Sequence, residues 1–105
     1  MTTNTYEVGD RIRIRTITPF QDAAGTEFDP PVVSFEVKEP GYDTAVYVYG
    51  VHDNVSRIAA GDYACDVDAN TVGTTYYHII GETAIDYGEN RGGDRGAFRV
   101  LKKET

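Results

Sequence analysis

The residues able to make and break bonds are few and scattered. Ser34, Ser56, Cys65, His52 and His78 are the usual candidates for a nucleophile or its base, and nucleophilic catalysis needs such groups paired and oriented by a third. Ser34 has no nucleophile-elbow sequence around it. Cys65 alternates with Tyr63 and Val67, as a small buried hydrophobe would, so it reads as core rather than as a reactive thiol. His52 and His78 share no motif, which argues against a metal site. Asp66, Asp68 and Asn70 have the spacing that opens an EF-hand-like calcium loop, where hard oxygen ligands belong. Thr71 stands where that loop needs glycine, however, and Tyr77 where it needs a bidentate glutamate. The glycine-rich run Arg91-Gly92-Gly93-Asp94-Arg95-Gly96 lacks the lysine and hydroxyl end of a phosphate loop. These residues predict no enzyme, no metal and no cofactor.

Contact chemistry is better supplied. Eight tyrosines and four phenylalanines stand in 105 residues, and tyrosine offers rigid amphipathic area at small entropic cost. Tyr47, Tyr49, Tyr76 and Tyr77 are each readable as core or as contact. Arg91, Asp94 and Arg95 join them as candidate partner contacts, in a long irregular segment from Glu82 to Arg95.

The elements that must carry these residues read as strands. Arg11 to Ile17 alternates basic and β-branched residues, with Ile12 and Ile14 inward. Val33, Phe35 and Val37 alternate against Ser34, Glu36 and Lys38, after the stiff Asp29-Pro30-Pro31 and before Pro40-Gly41. Thr44 to Tyr49 is a third strand with two bulky faces, so its inward side stays open. A short strand near Val55 to Ile58, another through Tyr63, Cys65 and Val67, then Thr74 to Ile80 and Gly96 to Leu101 complete the set. Gly61 and Tyr63 suit a structural corner in which a tyrosine hydroxyl returns to the backbone. About seven antiparallel strands without a 3.6-residue apolar period predict an all-β sandwich, and the length suits a single domain over residues 1–105.

Ten basic against seventeen acidic residues give a net charge of −7, which repels phosphates and anionic lipid and so predicts neither nucleic acid nor membrane as partner. No run approaches the roughly 20 apolar residues of a membrane-spanning helix, and the N-terminus shows no secretion-signal pattern. With the single Cys65, no intrachain disulfide is expected.

The motifs fall in a suggestive order. Gly9-Asp10, Phe20-x-Asp22-x-x-Gly25, Asp29-Pro30, Val33-x-Phe35-x-Val37, Pro40-Gly41 and Tyr47-x-Tyr49-Gly50 are followed by Gly61-x-Tyr63, Gly73-x-x-Tyr76-Tyr77, Gly81 and Gly96-x-Phe98-x-Val100. This pattern resembles the small immunoglobulin-like structural proteins encoded among the head and neck genes of tailed bacteriophages. Two departures stand out: His78-Ile79-Ile80 replaces a strand that commonly carries tryptophan, and the Glu82 to Arg95 segment is long. The resemblance implies an immunoglobulin-like β-sandwich acting as a capsid decoration protein on the virion head, soluble in the host cytoplasm before assembly. Its implied partners are the major capsid protein or neck and connector proteins of the same particle, with self-association a further option. The alternatives are a head-to-tail connector component and a carbohydrate- or ligand-binding accessory module using the tyrosines.

Overall fold

Alternation of apolar and polar residues leaves each strand one face to bury, and two sheets meeting on those faces are the simplest way to bury them. The computed structural model describes residues 4–17, 19–21, 24–82 and 94–102. Its strands are β1 (Asn4–Glu7), β2 (Arg11–Arg15), β3 (Val32–Lys38), β4 (Ala45–Val48), β5 (Val55–Ala59), β6 (Asp62–Asp68), β7 (Gly73–Glu82) and β8 (Arg95–Leu101). A five-stranded sheet, ordered β1-β8-β7-β3-β4, faces a three-stranded sheet ordered β2-β6-β5. The chain changes sheets after β1, β2, β4 and β6, while β3–β4, β5–β6 and β7–β8 pair as neighbours within one sheet.

The inward set is the one the alternation predicts. Ile12 and Ile14 of β2, Val33, Phe35 and Val37 of β3, and Tyr63, Cys65 and Val67 of β6 are buried together with Ile79, Phe98 and Val100. Fully burying one such side chain contributes about 1.5 to 3 kcal/mol, so this layer dominates the stability. Cys65 is fully enclosed, and burial pushes its thiol up to about 12; it is chemically quiet.

Two features differ from the sequence expectation. Among the described residues the strands number eight rather than about seven, because Asn4–Glu7 forms β1, and not every pair is antiparallel. β1 runs parallel to β8, with Tyr6 beside Val100. Four residues with one inward aromatic, Tyr6, against Phe98 at a ring separation of 5.7 Å, give too short a pattern to read as a strand.

β4 lies at an edge, and its register with β3, Tyr47 beside the buried Phe35, settles its open orientation. Tyr47 turns inward to the core while Val46 stays exposed. The edge is guarded locally: His52 Nδ1 accepts the Val48 N–H at 2.9 Å and the His52 N–H returns to the Val48 carbonyl at 2.9 Å. β5, at an edge of the other sheet, carries a register shift between Arg57 and Ala59. A capped group and a bulge are both devices that blunt edge-to-edge pairing.

Candidate functional site

The corner at Gly61 and Tyr63 exists, with a different partner from the one expected. Gly61 turns the chain between β5 and β6 at φ +72°, and the Tyr63 hydroxyl donates to the Asp29 carboxylate at 2.9 Å rather than to the backbone. Asp29 also accepts the Gly61 N–H at 2.9 Å and Arg57 Nε at 3.0 Å. The segment entering β3 is thereby tied to the β5–β6 turn. The Arg57 guanidinium foremost, then the Gly61 amide, hold the Asp29 carboxyl at about 2. No sequence motif pointed to Asp29 or Arg57 as partners of Tyr63.

On the outer face of the three-stranded sheet Arg11, Arg13 and Arg15 meet Asp68, Asp66 and Asp62 at 2.9, 2.9 and 2.7 Å. Asp62 also takes the Thr16 hydroxyl at 2.7 Å. The opening residues of the would-be calcium loop are thus occupied by arginine, and among the described residues no cluster of three or more metal-ligating side chains occurs. Millimolar calcium should leave the melting temperature unchanged in calorimetry; a rise of several degrees would restore the metal reading.

Hydrogen bonds from Arg15 and Arg13 lower the Asp62 and Asp66 carboxyls as Arg57 lowers Asp29. A carboxylate lowered in the folded state adds stability that is complete above its unfolded value, 3.8, and is lost as pH falls through the folded value. The melting temperature should therefore hold from about pH 7 to about pH 5 and drop below about pH 4. The acid limb should be shallower in Asp29→Asn, and an identical limb would show that Asp29 takes no part.

The four tyrosines separate. Tyr47 and Tyr77 pack against the core from inside, Tyr77 stacked on Phe98 at 6.5 Å. Tyr49 sets its ring 5.2 Å from Tyr63 while 44% exposed, and Tyr76 points outward at 60%. Asp94 is a tie rather than a free contact: its carboxylate accepts the Ile17 N–H at 2.6 Å and its carbonyl the Ile79 N–H at 2.8 Å. Arg95 is exposed opposite His78. Arg91, like all of 83–93, lies outside the described residues.

The outer face of the five-stranded sheet gathers the contact-forming groups. Strand register places Val46 beside Glu36, Glu36 beside His78, Lys38 beside Tyr76, and Tyr76 beside Ala97. Val46 and Tyr76 are both exposed there. Sequence reasoning named Tyr76 but missed Val46, since the phase of β4 was undecided. A separate open cleft of about 170 Å³ is lined by Tyr47, Asn54, Thr75 and Phe98, with Arg11 and Glu39 among its polar groups.

Compared with models of known protein families and with curated proteins, the chain matches none.

Proposed function

We propose that the chain is a non-enzymatic adhesive module that decorates the head of a tailed bacteriophage. The observation that carries the adhesive part is the outer face of the five-stranded sheet, where Val46 and Tyr76 stand exposed among polar neighbours. Exposed apolar side chains set among charged ones, as Val46 and Tyr76 are around Glu36 and Lys38, suit a protein contact surface. The virion assignment is supported by the order of turn-and-strand motifs in the sequence. On a particle, many symmetry-related copies make individually weak contacts effective.

Quantitative mass spectrometry of purified particles tests this reading. A copy number on the scale of the capsid subunits is expected. A few to about a dozen copies would reassign the chain to the neck or head-to-tail connector, and absence from particles would overturn the structural role altogether.

The cleft beside Tyr47 favours a second reading, a site for a small carbohydrate, because it joins an aromatic ring to amide and hydroxyl groups. Saturable binding on a glycan array, lost in Tyr47→Ala, would establish it.

A further inference from the structure

The described cations divide by sheet. Arg11, Arg13 and Arg15, on the three-stranded sheet, are each held by an aspartate, and Arg57 is held by Asp29. Lys38, Arg95, Arg99 and Lys102 form no ion pair among the described residues. Of these, Lys38, Arg95 and Arg99 alternate with the inward Val37, Phe98 and Val100, so all three project from the outer face of the five-stranded sheet. Lys38 is opposite Tyr76, Arg95 is opposite His78, and Arg99 is opposite Thr74. The Lys38 ammonium donates to the Glu39 and Tyr42 carbonyls, which fixes it at the rim. Among residues whose side chains are described, the carboxylates sharing this face are Glu36, half-buried between Val46 and His78, and Glu7, on the β1 edge.

A chain of net charge −7 thus keeps three of its four unneutralised described cations together around an exposed tyrosine. Its other described arginines are consumed internally. We infer that the outer face of the five-stranded sheet docks on an acidic surface of a different protein, with Tyr76 as the apolar anchor and Lys38, Arg95 and Arg99 as the charged rim. This rests on the adhesive reading above and names the partner's chemistry. A two-fold pairing of this face with itself would set cation against cation.

The test uses the full chain against immobilised poly-L-glutamate, with double-stranded DNA as a parallel probe. Binding to polyglutamate is expected at low salt, weakening about tenfold or more towards about 0.2 M salt as screening shortens the field. Arg95→Glu/Arg99→Glu should reduce it by about tenfold or more, whereas Ser56→Glu, which adds negative charge at the exposed β5 edge, should leave it within twofold. Lys38→Gln gives an independent variant should the double substitution fail to fold. Absence of binding at low salt, equal loss in Ser56→Glu, or tighter binding to DNA would overturn the inference. Sedimentation velocity decides the remaining occupant: concentration-dependent association of the native chain that Arg95→Glu/Arg99→Glu abolishes would make the partner a second copy, and would also overturn it. Failure here leaves the particle copy number untouched, and absence from particles leaves the polyglutamate result standing.

Discussion

Gly61→Ala should lower stability by roughly 3 kcal/mol or more, through a left-handed backbone cost of about 1 to 2 kcal/mol and an overpacking cost of similar size. The position allows no side chain. At φ +72° an added Cβ would stand 2.6 Å from the Phe20 carbonyl oxygen, 2.9 Å from the Phe20 nitrogen and 3.0 Å from the Phe28 carbonyl oxygen. These are backbone atoms already engaged: the Phe20 N–H donates to the Gly61 carbonyl and the Phe28 N–H to the Phe20 carbonyl, both at 3.0 Å. They cannot withdraw without breaking the bonds that fold this segment onto the β5–β6 turn. For a domain of about 100 residues each kcal/mol shifts the melting temperature by roughly 4 to 8 °C, so calorimetry should show a fall of more than about 12 °C. A change within about 3 °C would mean that the Phe20 segment does not press on Gly61 in solution.

Tyr63→Phe isolates the hydroxyl at the same corner. The ring is 1% exposed and keeps its edge contacts with Tyr49 and Phe20, so the substitution leaves no cavity. What it removes is the 2.9 Å bond to Asp29. A typical intramolecular hydrogen bond contributes about 1 kcal/mol net, and somewhat more when one partner is charged. The variant should lose about 1 kcal/mol or more in denaturant titration at unchanged m-value. Burial first, then the neighbouring carboxylate, push the Tyr63 phenol up to about 12, so it remains a donor throughout neutral and mildly alkaline pH. Tyr63→Phe and Asp29→Ala should also be non-additive, because both delete the same bond; strict additivity would show that the hydroxyl finds another acceptor.

The sandwich was legible wherever a strand buries one face and wets the other. β2, β3 and β6 alternate cleanly, and their inward residues follow from spacing alone. β4 resisted because both of its faces are bulky, and only its register with β3 shows that Tyr47 turns inward and Val46 faces out. The arginine ladder was present in the sequence as Arg11, Arg13 and Arg15 in one phase and Asp62, Asp66 and Asp68 in another, but their apposition needs the β2–β6 register. Asp29 was hidden for a stronger reason. Its three donors are 28, 32 and 34 residues away, and no local pattern encodes a contact at that distance. The contact face is equally non-local, since Lys38, Tyr76 and Ala97 become neighbours only when β3, β7 and β8 align.

The parallel pairing of β1 with β8 has a mechanical consequence. Asn4 stands beside Phe98 and Glu7 beside Leu101, so tension entering through the front of β1 and leaving through the end of β8 slides the strands along each other. The ladder between them is then loaded all at once, in shear, whereas an antiparallel hairpin pulled from its open end would unzip one bond at a time. A module joined in this sense to neighbours on both sides should resist extension until the whole ladder fails together.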